Sequence, residues 1–421
     1  MSTLTTDEEF AAGIKDEFGV VYSADGLKLL KCENTDLIEY QIKDGTKVIC
    51  DWAFEEEFRG GKLQKITLPD TVVSIGESVF CGCHHLQQIN IPDSVLNIGK
   101  NAFECCSALN QIIIPHSITS INELTFFYCL NLRQINIPNS VTTIGNSAFC
   151  NCESLQNIDI PDSVTSIGDC AFERCSSLQQ INIPRSVTQI GENPFCGCDK
   201  INIKSELDRY VVKGKMLIDN IEKRLVAYFG CEESFSIPDY VTTIGTYSFA
   251  YNNTLQQIEI PSSIKTIDSL AFRECKLQAV SIPDSVTFIG NAAFIACFSL
   301  KQITIPNSIT SISDNTFAWC RSLKEISIPN SVVSIGANAF ENIESLTKIT
   351  LPDSVMSIGN DAFSNCWHLQ QIVISENSVD KFKKMLPKEL WHRLCCLKKV
   401  FGKEQFVKLY YNIDDDTSLP F

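Results

Sequence analysis

Positive charge is scarce in this chain, and long apolar runs are absent. Its 421 residues carry 35 Lys and Arg against 50 Asp and Glu, a net charge of −15. A general nucleic-acid binder is normally basic, so that class is disfavoured, and so is adsorption to an anionic membrane surface. No stretch approaches the roughly 18 consecutive apolar residues of a membrane span. The opening MSTLTTDEEFAAGIKDEFGV lacks the basic start and apolar core of a secretory signal. These absences predict a soluble, cytoplasmic protein, with surface display through non-classical export as the alternative. Histidine is also rare: His84, His85, His116, His368 and His392 are mostly scattered. No Gly-rich phosphate loop or Ser/His/Asp grouping accompanies them. The expectation is no catalytic residue, no cofactor and no metal, hence no enzyme.

What the chain does have is a period. Prolines fall at 69, 92, 115, 138, 161 and 184, then at 238, 261, 283, 306, 329 and 352. The spacing is 23, with one step of 22, and a degenerate unit with Lys43 in the proline's place precedes the first. Self-similarity at such a period signals stacked repeats, none of which can bury its apolar face alone. The consensus is L-x-x-I-x-I-P-x-S-V-x-x-I-G-x-x-A-F-x-x-C-x-x-L. Phe stands eleven places after the proline in all twelve units, from Phe80 to Phe363, and Ile six places after it in all twelve.

Each column has a physical reading. The alternating I-x-I predicts a strand with one buried face, which proline ends because it offers no N–H to a ladder. The β-branched V-x-x-I predicts a second short extended segment. Gly follows that Ile in nine of twelve units, with Asn122, Asp268 and Ser313 as exceptions, and reads as a corner needing positive φ. The three-residue spacing of A-F-x-x-C suits a short helical turn.

The 20 cysteines mostly belong to the same frame. Ten stand fourteen places after the proline, from Cys83 to Cys366, with Asn252 and Ile343 in the other two units. One residue per rung at an apolar period reads as a column of buried thiols acting as small hydrophobes. The alternatives are a disulfide chain or a metal-binding thiol array. Cys81-Gly-Cys83-His84-His85 invites the metal reading, yet two well-spaced ligand pairs are not visible there. Many reduced cysteines point to a reducing compartment.

Irregular segments divide the chain. Residues 1–41 form an N-terminal segment with a hairpin-like run over 18–30, and 42–198 the first repeat block. Residues 199–236 hold an insert with two strand-like runs, Tyr210 to Asp219 and Lys223 to Tyr228. A second block spans 237–375, and 376–421 a C-terminal cap and tail. Phe382, Met385, Leu386, Leu390, Trp391, Leu394, Leu397, Val400 and Phe401 trace helical faces, with Pro387 suited to a helix first turn. Residues 381–403 hold eight Lys or Arg against one Glu. This basic stretch reads as a cap for the last rung or as a helix for an acidic partner, and the acidic Asp414-Asp415-Asp416 beyond it as frayed.

The consensus resembles the BspA-like (Treponema pallidum-type) leucine-rich repeat family, over roughly residues 17 to 375. The resemblance implies a leucine-rich-repeat solenoid, a β-rich α/β superhelix of about 13 units with two hairpin modules, to which the residues of the tail add a helical C-terminal cap. It implies no catalytic residues, and family members include surface proteins that bind host matrix proteins or other bacteria. Familiar leucine-rich repeats place Asn in the turn after the strand; here ten units have Ser, with Thr71 and Tyr240 in the others. The corner hydrogen bonds must therefore differ.

The outward strand positions form the candidate binding face: Gln88, Asn90, Gln111, Gln134, Asn136, Asn157, Asp159, Gln180, Asn182, Gln257, Glu259, Gln302 and Glu325. This face is polar and nearly free of the Trp, Tyr and Arg that dominate binding hot spots. It reads equally as a binding face and as a solubilising surface. The functional expectation is a monomeric interaction scaffold for an unidentified protein, binding through this face or the insert. The alternatives are an exported adhesin and a structural or metal-binding thiol array.

Overall fold

A computed structural model describes residues 2–55, 61–199, 201–400 and 403–408, with side chains to Cys396. The chain divides into two compact units: Met1–Ile221 with Val226–Gly230, and Glu222–Leu225 with Cys231–Phe421.

In the first unit, strands Val20–Tyr22 and Lys28–Cys32 form the antiparallel opening expected of the N-terminal segment. Lys28 and Leu29 then pair in parallel with Val48 and Ile49. From there the proline frame sets the register. Three-residue strands such as Lys65–Thr67 and Gln88–Asn90 pair in parallel with side chains exposed, buried or half-buried, exposed. After each proline a two-residue strand, such as Ser74–Ile75, pairs with its counterpart one repeat on, Asn97–Ile98. The proline carbonyl accepts from the residue three places later, as in Val95 N–H to Pro92 at 3.0 Å, which turns the chain between the two strands.

The invariant Phe column lies at the centre of the core. Rings stack from Phe54 through Phe80, Phe103, Phe126, Phe149 and Phe172 to Phe195 with centroids 5.4–5.8 Å apart. In the second unit Phe249 to Phe363 repeat the stack at 5.0–5.8 Å. Such pairs contribute about 0.5–1.5 kcal/mol each beyond the area they bury.

Two expectations about the corners are corrected. The glycine after the isoleucine does not have positive φ. It is glycine because successive backbones nearly touch: a Cβ on Gly99 would lie 2.4 Å from the carbonyl carbon and oxygen of Gly76. Where a side chain stands at that corner, it bonds to the preceding rung or pairs with a charge. Asn122 Nδ2 donates to the Ile98 carbonyl and Ser313 Oγ to that of Ile289, both at 2.6 Å. Asp268 pairs with Arg224 at 3.1 Å, while burial holds its carboxyl above the ordinary range.

The A-F-x-x-C piece is not helical. Positive φ falls nine and thirteen places after every proline, for example at Asn101 (+56°) and Cys105 (+57°), or Asn315 (+56°) and Trp319 (+64°). The reversals turn alternate N–H groups toward the next repeat: Asn101, Phe103 and Cys105 donate to Glu123, Thr125 and Phe127 at 2.7–3.1 Å. A helix would have spent those donors within its own turn. Left-handed backbone costs a non-glycine residue about 1–2 kcal/mol, and the inter-repeat hydrogen bonds offset it.

In six of the ten units with serine two places after the proline, that serine makes the corner bond that asparagine makes elsewhere. The hydroxyls of Ser186, Ser263, Ser285 and Ser354 are instead buried without a partner among the described residues. Ser94, Ser140 and Ser163 donate Oγ to the carbonyls of Val72, Ile118 and Val141 at 2.6–2.7 Å, and Thr71 does the same to Thr46 at 2.8 Å.

The insert differs from expectation in one respect. Its first run is itself a hairpin, Tyr210–Lys213 against Met216–Asp219, because Gly214 at φ +59° allows a two-residue turn that pairs Lys213 with Met216. In the second unit, Arg224 and Leu225 pair in parallel with Thr243 and Ile244 and begin its two-residue strands.

At the C-terminal end the helical reading holds to Arg393, as a 3-10 turn Glu376–Ser378, a helix Val379–Met385 and a 3-10 segment Lys388–Arg393. From Leu394 the chain is extended instead. Leu394–Val400 pairs in parallel with the strand Gln371–Ile374 and antiparallel with Lys403–Lys408. An open edge on the last strand of the array outweighs the helical spacing. Phe401 and Asp414 to Asp416 lie outside the described residues.

Candidate functional site

Alternation places every residue of the candidate face outward: all thirteen are exposed, and the isoleucines between them are mostly buried. In the first unit Gln111 sits beside Gln134, which is followed by Asn157 and Gln180 through single parallel bridges. Gln88 pairs with Lys65, Asn90 with Thr67 and Asn182 with Lys204. In the second unit Ala279 stands between Gln257 and Gln302, and Glu325 faces Lys348. The rows are therefore amide ladders with lysines among them. One outward residue was not foreseen: Ile113, 70% exposed, stands two places after Gln111 on the same strand and pairs with Asn136.

The surface of these rows in the first unit is dented. A depression of about 730 Å³ is lined by Asn110, Gln111, Asn131, Arg133, Gln134 and Gln156, with Ala108. Smaller ones of about 310 and 270 Å³ lie over Ile112, Ile113 and Ile135, and over Ile66, Ile89 and Ile112. Amides line most of the largest one, and they offer both donors and acceptors to a polypeptide.

A second surface lies in the second unit, on the repeat turns. The Arg321 guanidinium sits 5.3 Å from the Phe298 ring centroid and 5.0 Å from that of Trp319, and its Nε is 3.2 Å from Glu344. Phe298 and Trp319 are 46% and 37% exposed. Arg273 lies 5.2 Å from the Tyr251 ring. These residues have the composition of an interaction hot spot. Tyr251, Phe298, Trp319 and Arg321 occupy the columns thirteen and fifteen places after the proline, on either side of the cysteine column, and Arg273 the column twelve places after it. Inspecting those variable columns, rather than the strand face alone, would have found them.

The cysteine column is a hydrogen-bonded ladder. Each thiol from Cys83 to Cys198 donates to the carbonyl of the Phe one rung back, at 3.0–3.2 Å, and Cys297, Cys320 and Cys366 do likewise. Burial pushes the Cys320 thiol up to about 12 and that of Cys366 to about 11, and holds Cys106, Cys129, Cys152, Cys175, Cys198 and Cys297 well above the ordinary thiol range. Such thiols are poor nucleophiles and poor ligands, since both roles need the thiolate. His84 and His368 each place Nδ1 against a backbone carbonyl of a neighbouring rung, Cys105 at 2.9 Å and Glu344 at 2.6 Å. Among the described residues no three His, Cys, Asp or Glu side chains converge as a metal site, and no helix is long and apolar enough to cross a membrane.

Parallel three-residue strands, a stacked Phe column and short turns repeated every 23 residues define a leucine-rich-repeat solenoid. The chain belongs to the family described as the BspA type leucine rich repeat region, whose model matches residues 55–155, 142–209, 219–320 and 310–388. A leucine rich cell surface protein from Faecalibacterium prausnitzii is 29% identical, with a TM-score of 0.62 over 90% of this chain and 94% of that one. The leucine rich repeat protein of Treponema pallidum is 27% identical over 47% of this chain and 90% of its own, with a TM-score of 0.40. The pneumococcal vaccine antigen PcpA is 20% identical over 86% of this chain and 84% of its own, with a TM-score of 0.49. Among curated proteins no relative matches.

Proposed function

We propose that the chain is a non-enzymatic scaffold that binds another protein across the exposed strand face of its first unit. The observation that carries this reading is the dented amide ladder around Gln111 and Gln134, where exposed donors and acceptors stand in register from rung to rung. Such a ladder matches the regular polar groups of a polypeptide better than it matches a compact metabolite, which needs an enclosed, mostly apolar site. Membership of a repeat family supports the same reading.

The test is a pair of lysine substitutions, Gln111→Lys with Gln134→Lys, and a control pair elsewhere on the repeat, Thr142→Lys with Thr165→Lys. Partners are recovered by crosslinking in the source cells, with folding checked by thermal melting. Loss of the recovered partner in the first pair alone supports the reading. Equal recovery from both pairs sinks it, and so does loss confined to a Trp319→Ala, Arg321→Ala variant.

A second reading places the protein at the cell surface, as an adhesin. It is favoured by the likeness to a cell surface protein over nearly the whole of both chains. The buried free thiols favour a reducing interior instead. Protease treatment of intact cells discriminates: digestion of the protein supports the surface reading, and full protection excludes it.

A further inference from the structure

In the second unit each repeat turn hands its main chain to the next in one fixed way. Asn315, Phe317 and Trp319 donate their N–H groups to the carbonyls of Ala337, Ala339 and Glu341 at 2.8–2.9 Å. Asn338, Phe340 and Asn342 donate in turn to Asn360, Ala362 and Ser364 at 2.9–3.0 Å. Among the described residues the turn that carries Phe363 has no successor. The corresponding N–H groups of Asp361, Phe363 and Asn365 have no acceptor among the described residues.

A cavity of about 680 Å³ takes the place of the missing turn, closed on its far side by Met385, Leu386, Leu390 and Arg393. Phe363, the last ring of the stack, lies 5.5 Å from Phe340 with 3° between planes and forms part of the cavity wall. Trp367, 72% exposed, stands at the rim. Arg393 is anchored by its Nη1 bond to the Cys366 carbonyl at 3.1 Å, and Asp361 and Glu389 bring two carboxylates to the same lining.

These features select a ligand. Three donors on alternate residues call for three acceptors at the same interval, which a peptide main chain supplies. Phe363 itself is only 5% exposed, so the apolar contact comes from the more accessible Trp367, Met385 and Leu390 on the lining, which suit an aromatic ring. The balance of one cation and two carboxylates gives a full anion no advantage over neutral carbonyls. We propose that this cavity is a peptide-binding slot, taking a phenylalanine-bearing segment of another protein in the conformation of one more repeat turn. Recognition is main-chain augmentation of an unfinished ladder, with one side-chain pocket for specificity. The slot is distinct from the strand face of the first unit.

The probe is the blocked peptide Ala-Asn-Ala-Phe-Glu-Asn-Ile, the sequence of residues 337–343, which already pairs in this manner with the turn before it. Added to the full chain, it should bind saturably and slow amide hydrogen exchange at Asp361, Phe363 and Asn365 at least tenfold. Replacing its Phe by Ala should weaken binding tenfold or more. The Leu390→Lys protein and the milder Trp367→Ala protein should lose binding at an unchanged melting temperature. The proposal is overturned if no saturable binding appears up to millimolar peptide, or if the Ala peptide binds as well. It is equally overturned if inorganic phosphate displaces the peptide, or if the three amides of the free protein are already as protected as those of Asn338, Phe340 and Asn342.

Discussion

The Cys106 thiol donates to the carbonyl of Phe80, one rung back, at 3.2 Å. The same carbonyl accepts the Cys83 amide at 3.1 Å. A cysteine in this column thus fills core volume and also satisfies a second lone pair of a buried carbonyl, which no aliphatic side chain of similar size does.

Alkaline pH should therefore unfold the protein. Eight ladder thiols have raised pKa values in the native state because burial penalises the thiolate. The native state keeps these protons where the unfolded chain releases them. The contribution is complete below the unfolded thiol value, about 8.5–9, and is lost as pH rises toward the folded ones. Each thiol removes about 1.4 kcal/mol per pH unit in that window, so several together exhaust a stability of about 5–15 kcal/mol within roughly two units. Urea unfolding at intervals from pH 8 to 11 checks this; a midpoint unchanged at pH 10.5 contradicts it.

Thiol labelling should be strongly site-selective. Cys231 is exposed, and the ladder cysteines are buried. With iodoacetamide at pH 8, Cys231 should react first. Cys320 and Cys366 should react only as the protein unfolds, because a thiol at about 11 or 12 is less than about one part in a thousand thiolate at that pH. Peptide mass mapping after short exposure reads the order. Early modification of Cys320 would show that the ladder opens in the native state.

The corner glycines should tolerate no side chain. Gly99→Ala forces a methyl to within 2.4 Å of Gly76 backbone atoms and should cost about 3 kcal/mol or more by spreading the rungs. Gly45→Ala is the control: nothing lies within 4 Å of its Cβ, and only the φ of +91° opposes it, at about 1 kcal/mol. Denaturant unfolding of the two variants separates contact from conformation; equal losses would mean that close approach is not the reason for Gly99.

At the left-handed positions the opposite substitution should help. Ala296 holds φ +56° at the place where Gly82 and Gly197 stand in other repeats. Ala296→Gly relieves roughly 1–2 kcal/mol of conformational strain and gives back about 0.5–1 in unfolded-chain entropy. A gain of about 0.5–1 kcal/mol is expected in thermal melting, although glycine normally destabilises ordered structure.

Which features could be read in advance follows from what their chemistry requires. The Phe column demands one residue type and the Cys column admits only Asn252 and Ile343 as exceptions, so twelve copies expose both, and the I-x-I alternation alone fixes which side chains of the candidate face point outward. The left-handed positions are invisible because Ser78, Leu124, Cys170, Glu274 and Trp319 all adopt them; inter-repeat hydrogen bonds hold the backbone there whatever the side chain. Leu394, Leu397 and Val400 are spaced as on a helix, yet the waiting edge of Gln371–Ile374 decides for a strand. The Arg321 cluster escaped because it is assembled across neighbouring repeats from columns that carry no consensus.

The docking of the C-terminal helix should depend on acid. Asp353 accepts hydrogen bonds from Ser375 at 2.7 Å and Ser378 at 2.6 Å, and its backbone carbonyl accepts from Lys381 Nζ at 2.6 Å. The two hydroxyl bonds, Ser378 foremost, hold its carboxyl below the ordinary range. Their contribution is present above the unfolded carboxylate value, about 3.9, and is lost as pH falls through the lower folded one. The site is open to water, so the effect is local: amide exchange over residues 376–386, corrected for intrinsic rates, should speed up about tenfold or less below pH 3.5. Asp353→Asn should show much of that loss already at pH 7 and little further change with acid. An Asp353→Asn protein whose helix stays as protected as the original at pH 7, and still loosens in acid, would move the cause to another group.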